Sequence, residues 1–230
     1  MPAAIARPAA GFFYILSRPR PEYLEEYHEW YNTEHGPLRV KLDFVQNGYR
    51  YKCVDPDPSL FMAAYDLSRL AGLEEPEYTV LRSNRSARES EVFDKKLDWI
   101  DRRVYKDISS RGSSKGPAPV VIVVALLVRN DMIAEVHRWY EEEHITDLSR
   151  VPGWRRTRRF ELVEADDLQD GYTGLLAVHD FDRDNGLDGP EHQLAKSRPW
   201  RNKIMARVRS RDNKRFEFLH EFRASDYRRP

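Results

Sequence analysis

The chain of 230 residues lacks the features that mark several large protein classes. It has a single cysteine, Cys53, so no disulfide can form within the chain and a cytoplasmic location is expected. No apolar run approaches the roughly 20 residues that cross a bilayer. The 38 basic residues are balanced by 38 acidic ones. Net charge therefore favours neither nucleic acid nor an anionic membrane as a partner.

Several cofactor and nucleophile motifs are absent as well. The sequence has no Gly-x-Gly-x-x-Gly and no Gly-x-x-x-x-Gly-Lys-Ser/Thr segment, so no nucleotide cofactor is expected. It has no cysteine cluster and no His-Glu-x-x-His segment, so no metal site is expected. A Gly-x-Ser-x-Gly segment is missing too, and Cys53 has no nearby base in the sequence. A nucleotide cofactor and a covalent nucleophile are therefore not expected. The expected partner is a small-molecule substrate.

One segment occurs twice, and this repeat predicts the domain organisation. His28 begins the run His-Glu-Trp-Tyr-Asn-Thr-Glu-His, and His137 begins the run His-Arg-Trp-Tyr-Glu-Glu-Glu-His. The constant offset of 109 residues is close to half the chain, which is typical of a duplicated domain. A segment rich in glycine, serine and proline separates the copies. The predicted first half, linker and second half are 11–110, 111–119 and 120–225.

The hydrophobic pattern predicts the same element order in both halves. Strands are expected where β-branched and aromatic residues cluster, and helices where apolar residues recur at helical spacing. The predicted strands are 11–17, 44–54, 60–67, 99–108, 120–128, 154–163, 173–181 and 216–222. The predicted helices are 22–35, 131–144 and 190–206, with a further helical segment within 72–97. This βαββαβ order defines the ferredoxin-like unit, whose two helices pack on one sheet face.

Two such sheets can cover each other with their remaining faces. The predicted fold is therefore α+β, with two tandem ferredoxin-like repeats in one chain. The fused halves could also pair into a homodimer.

The repeated segment also resembles a known family. Trp30-Tyr31-Asn32-Thr33-Glu34-His35-Gly36-Pro37-Leu38, followed by Asn-Gly-Tyr-Arg-Tyr at 47–51, resembles EthD-type members of the dimeric α/β-barrel superfamily. Residues 139–144 and 151–155 resemble the same pattern, although Ile145-Thr146 replaces Gly36-Pro37. Membership would imply one eight-stranded barrel within the chain. It would also imply that His35, in the His-Gly-Pro segment, faces the substrate cavity.

His35 and His144 are the leading candidates for catalysis. Each is predicted at the carboxyl end of a helix, where the dipole favours a protonated imidazole that can exchange a proton near neutral pH. Tyr31 and Tyr140 lie on the same helix faces and could donate a hydrogen bond to a carbonyl or enolate oxygen. The alternative interpretation is structural: a capping histidine and an aromatic packing stripe that were duplicated with the fold.

Further side chains could contact a substrate. Arg156 could hold a carboxylate or phenolate, although an exposed strand edge explains the basic run around it equally well. His179, next to Asp180, is a secondary acid–base candidate, whereas His192 is expected to be exposed. The predicted substrate-binding residues are His28, His137, Tyr51, Tyr65, Arg156 and His179.

The resemblance suggests a class of reaction. The preferred function is a cofactor-independent acid–base enzyme, such as a cyclase, a dehydratase or a related lyase or isomerase, acting on a small apolar or aromatic polyketide-like carbonyl compound. His35 or His144 would remove a proton next to the carbonyl. Two alternatives remain open: a haem-binding protein or cofactor-free monooxygenase, and a non-catalytic small-molecule-binding or stress protein.

Overall fold

The computed structural model describes residues 9–228, which form two compact units. Of the described residues, the first unit contains 9–52, Ser59–Asp107 and 219–228. The second unit contains Cys53–Pro58 and Ile108–Phe218. Along the described chain the order strand, helix, strand, strand, helix, strand occurs twice.

Four antiparallel strands belong to the first half of this order, hydrogen-bonded as β4-β1-β3-β2. Their bounds are β1 Gly11–Pro19, β2 Gly48–Asp55, β3 Phe61–Leu67 and β4 Leu97–Gly112. Strand β1 is buried along almost its whole length, as its aromatic run predicts. The ring of Phe13 lies 6.0 Å from that of Tyr65 on β3, and 6.3 Å from that of Tyr78 in an edge-to-face contact.

The helix that carries the first motif does not end at Gly36-Pro37, so this part of the prediction is wrong. It continues from α1 (Leu24–Trp30) through a π-helical turn (Tyr31–His35) into α2 (Gly36–Val40). The N–H of Gly36 bonds to the carbonyl of Tyr31, five residues back. Proline is tolerated here because Pro37 stands in the first turn of α2. Gly36 is required by packing, since a Cβ would stand 2.2 Å from Cζ of Phe222.

The rest of the first half contains short helices. The predicted segment 72–97 forms α3 (Pro76–Ser83), α4 (Ala87–Glu91) and a π-helical turn (Val92–Lys96). Strand β4 runs on to Gly112, so the first two residues of the predicted linker belong to a strand. Strand β2 begins only at Gly48, four residues later than predicted.

The second half has the corresponding strand order, β8-β5-β7-β6, again antiparallel. Its strands are β5 Val120–Arg129, β6 Trp154–Glu164, β7 Tyr172–Phe181 and β8 Ser210–Phe222. The helices are α5 Ile133–Trp139, α6 Ile145–Leu148, α7 Pro190–Ser197 and α8 Pro199–Met205, and α9 (Ala224–Tyr227) follows β8. A π-helical turn, Tyr140–His144, joins α5 to α6. Pro199 divides the predicted helix 190–206, because a helix seldom passes a proline.

The α+β class and the eight antiparallel strands predicted from the sequence are confirmed over residues 9–228. Within that range no helix has both the length and the apolar character needed to cross a bilayer.

Candidate functional site

The two repeated motifs form the same local structure. In each, a π-helical turn begins at the tyrosine and ends at the second histidine. The turn brings the imidazole of His35 within 4.6 Å of the ring of Trp30, and that of His144 within 4.5 Å of the ring of Trp139. Both tryptophans are fully buried. Single π-helical turns are rare in proteins, and those that occur are often found at functional sites. Both motifs are therefore candidate sites.

An arginine from the neighbouring strand supports each motif. Arg50 donates to Nδ1 of His28 over 2.9 Å and lies over the ring of Tyr31 at 4.3 Å. Arg159 likewise donates to Nδ1 of His137, and it lies over the ring of Tyr140 at 4.5 Å. An arginine can only donate, so Nδ1 of each histidine must accept.

These contacts bear on the predicted role of the first histidine of each motif. Burial and the charge of Arg50 lower the pKa of His28 to about 4, so its imidazole is neutral. Nδ1 of His28 and Nδ1 of His137 are both taken by a guanidinium. Their assignment as substrate-binding residues stays a prediction.

In the first unit, the second histidine of the motif, His35, belongs to a buried ionic cluster. His35 Nδ1 and Arg39 Nη2 each lie 3.0 Å from the same oxygen, Oε1 of Glu89. The hydroxyls of Tyr31 and Tyr65 lie 3.3 Å apart. Tyr31 and Tyr65, which were predicted to meet a substrate, therefore bond to each other, and His35 bonds to Glu89.

The expectation of a protonated His35 is wrong. Burial and the nearby Arg39 lower the pKa of His35 to about 3, so the imidazole is neutral and its Nδ1–H donates to the Glu89 carboxylate. The helix dipole has little influence because the helix continues past His35 to Val40.

The second unit has a cavity beside the corresponding histidine, with a volume of about 230 Å³. At the offset of 109 residues the counterpart of Arg39 is Leu148, which lines the cavity with an apolar side chain. The polar wall near the motif contains Tyr140, His144, His179 and His192. The apolar wall contains Ile122, Val124, Trp139, Leu148, Phe181, Leu187 and Met205.

His144 has a buried ring nitrogen that lacks a partner in the described chain. Its Nδ1 is buried, and no atom of residues 9–228 forms a hydrogen bond with it. The imidazole stacks on Trp139 at an interplanar angle of 23°. Burial, together with the nearby imidazole of His179 and the charge of Arg201, holds the pKa of His144 well below its usual value. A neutral imidazole with an unused ring nitrogen can accept a proton or a hydrogen bond from a ligand.

The neighbouring groups are neutral as well. His179 Nδ1 lies 2.9 Å from Oγ1 of Thr157, and burial lowers the pKa of His179 to about 3. His192 was expected to be exposed but is half-buried, and its Nδ1–H donates to the carbonyl of Leu187. Burial raises the pKa of Tyr140 to about 12, so its hydroxyl keeps the proton and can donate.

The remaining predicted residues lie elsewhere. Arg156 donates from Nε to Oδ2 of Asp180 over 2.8 Å, so its guanidinium is already engaged. Tyr51 is buried on β2, in the first unit. The cation that sequence reasoning missed is Arg201 on α8, which lines the cavity with Met205. The spacing of these two, four residues apart on one helix face, was the available signal.

Across the described part of the chain, no set of three or more His, Cys, Asp or Glu side chains is arranged to bind a metal ion.

Comparison with known proteins gives a likeness in fold. No family model matches the chain, and no curated protein matches it. Among solved structures, an anthrone oxidase-like protein has a TM-score of 0.69 at 12% identity, covering 96% of both chains. A Lactobacillus acidophilus protein provisionally named a monooxygenase has a TM-score of 0.56 at 9% identity, covering 94% of this chain and 97% of its own.

A Fusobacterium nucleatum protein with the same provisional name has a TM-score of 0.58 at 6% identity, covering 94% of this chain and 95% of its own. At such identities the likeness establishes that this chain has the same fold as these proteins, and nothing more.

Proposed function

We propose that the second unit carries the active site of an enzyme that oxidises a small aromatic carbonyl compound with dioxygen. In this proposal the two βαββαβ units are tandem, EthD-like ferredoxin repeats of one dimeric α/β barrel. The observation that carries the proposal is the cavity beside His144, whose buried Nδ1 has no partner among the described residues.

The first step would be removal of a proton from carbon. His144 is neutral because its pKa is lowered, so it is always in the form that accepts a proton at neutral pH. A protonated imidazole in this buried position would be unfavourable on its own, and the enolate formed beside it supplies the opposite charge. Tyr140, which keeps its proton, would donate a hydrogen bond to the enolate oxygen. A positioned base of this type contributes about 10²–10⁴-fold to the rate.

The second step would be reaction of the electron-rich carbanion with dioxygen. A methylene carbon becomes a carbonyl, one oxygen atom of dioxygen enters the product, and the other leaves as water with the two hydrogens. The names of the structurally similar proteins, an anthrone oxidase-like protein and two provisional monooxygenases, support this reaction. Cyclisation or dehydration would share the first step, but no further observation favours either.

The haem alternative fits the cavity poorly. Pockets for drug-sized ligands measure about 300–1,000 Å³. A porphyrin is at least that large, whereas this cavity measures about 230 Å³. His144 also stacks flat on Trp139, and this packing holds the plane of its ring. We therefore do not assign a haem to this site.

Anthrone in aerated buffer is the test substrate. Dioxygen uptake and the absorbance of the quinone product report the whole reaction, and loss of deuterium from labelled anthrone under nitrogen reports proton removal alone. We expect His144→Gln to lower both rates by about 10²–10⁴-fold. The matched variant His35→Gln, in the same motif of the first unit, should keep both rates. Normal turnover by His144→Gln would refute the proposal, and substrate loss without dioxygen uptake would replace the oxidase by a lyase.

A further inference from the structure

The cavity of the second unit has an uneven distribution of charge. The chain as a whole carries equal numbers of basic and acidic residues. The cavity wall contains five cationic side chains and two anionic ones. The cations are Lys196, Arg201, Arg211, Lys214 and Arg215, and the anions are Asp55 and Asp188. The surplus of positive charge is therefore local to this cavity.

Some of these cations are already neutralised by carboxylates. Lys214 pairs with Asp212. Arg215 lies 3.6 Å from a carboxylate oxygen of Asp188. Lys196, Arg201 and Arg211 differ, because none of them has a carboxylate at ion-pair distance anywhere in residues 9–228. The two unpaired guanidinium groups line the same cavity.

The position of Arg201 makes its missing partner significant. Arg201 is only partly exposed, and burial together with the charge of Arg211 lowers its pKa. Two like charges that repel each other at a partly buried site gain most from an anion placed between them. A guanidinium is a planar fork that binds a carboxylate through two parallel hydrogen bonds.

Arg201 also lies near the reacting groups of the proposed mechanism. Its charge acts on Tyr140 and on His144, in addition to the larger effect of burial on both. Met205, one turn further along α8, lines the apolar part of the wall. A ligand with an aromatic body against the apolar wall could therefore present an anionic group to Arg201.

We propose that Arg201, assisted by Arg211, forms a subsite that binds the carboxylate of an aromatic substrate in this cavity. This inference rests on the proposed function only in treating the cavity as the substrate site. It predicts that ligand affinity depends on the charge of the ligand and on the guanidinium of Arg201.

The test is equilibrium binding, which requires no turnover. The probes are 2-naphthoate and its neutral analogue 2-acetylnaphthalene, with benzoate and acetophenone as a smaller pair, measured by isothermal titration calorimetry at low salt. We expect each anion to bind the wild-type protein about tenfold or more tightly than its neutral analogue. Arg201→Gln should remove that preference. Lys203→Gln removes one positive charge from the exposed side of the same helix and should keep it.

Three outcomes would overturn the subsite: equal binding of anion and neutral analogue by the wild type, an anion preference that survives in Arg201→Gln, or no binding of either anion. Arg201→Lys keeps the positive charge but lacks the planar guanidinium, so it should give an intermediate preference for the anion. This variant serves as a second test if Arg201→Gln fails to fold. The two proposals can fail separately. If the protein prefers anions but never consumes anthrone, the subsite is supported and the oxidase is refuted. If it oxidises anthrone but shows no preference for anions, the oxidase is supported and the subsite is refuted.

Discussion

Replacing Glu89 with glutamine keeps the shape of a side chain whose residue is only 2% exposed and removes its charge. Burial alone would raise the pKa of Glu89, but the hydrogen bonds from His35 and Arg39 and the charge of Arg39 outweigh it, so the pKa is lowered and the group is ionised at neutral pH. Both partners reach the same oxygen over 3.0 Å. The variant would therefore leave the buried guanidinium of Arg39 without a counter-ion.

The expected cost follows from that burial. Removing one partner of a buried ion pair destabilises a protein by about 3–5 kcal/mol. The glutamine oxygen can take the place of Oε1 and still accept both hydrogen bonds, so we expect a loss near the lower end, about 3 kcal/mol. The matched control is Glu29→Gln, since Glu29 pairs with Arg88 over 3.0 Å but its side chain is 66% exposed. That change should cost less than about 1 kcal/mol.

Urea unfolding followed by tryptophan fluorescence measures both changes, because Trp30 lies 4.6 Å from His35. A double variant, Arg39→Met with Glu89→Gln, should be more stable than the sum of the single effects predicts, since it leaves no unpaired buried charge. Equal midpoints for Glu89→Gln and Glu29→Gln, or strict additivity, would refute this account of the cluster. Folded Glu89→Gln protein should turn over normally, because the proposed active site is in the second unit.

Three further predictions concern acid stability, packing and catalysis. His35 and His179 have folded-state pKa values of about 3, against 6.5 when unfolded, so their contribution to stability is present above pH 6.5 and is lost as the pH falls. Each histidine should lower the free energy of unfolding by about 1 kcal/mol by pH 5.5, as measured by urea titration. A free energy of unfolding that does not change with pH would contradict this. Gly36→Ala should destabilise the protein by about 1–3 kcal/mol in calorimetry, although alanine favours helix, because the new Cβ meets the ring of Phe222. Adding Phe222→Leu to this variant should restore stability. Tyr140→Phe should lower kcat for anthrone about 10²-fold with little change in KM; unchanged kcat would remove Tyr140 from the mechanism.

Much of the fold could be predicted from local patterns in the sequence. Alternating and continuous apolar runs located all eight strands, because burial of sheet faces dictates those patterns. The end of the first motif helix was misplaced at Gly36-Pro37. A π-helical turn has no distinct amino-acid composition. Here it joins α1 to α2, and Pro37 lies in the first turn of α2.

The candidate site was predicted only in part, for a different reason. The repeat pointed to two histidines that end equivalent π-helical turns, and the resemblance favoured His35, whereas the cavity lies beside His144. His35 and His144 differ in their contacts with residues that are distant in sequence. The carboxylate that engages His35 comes from Glu89, 54 residues away, and the unpaired Arg201 comes from a helix distant in sequence from its motif. Spacing within a motif carries no information about such partners.

The exchange of Arg39 for Leu148 has an evolutionary consequence under the proposed duplication. If the proposed active site lies in the second unit alone, the first copy is under selection for stability, and its substitutions in related chains should conserve charge and volume around Glu89. Under the same proposal, the residues that line the second cavity should vary with the substrate, so divergence between homologues should concentrate around the leucine at position 148.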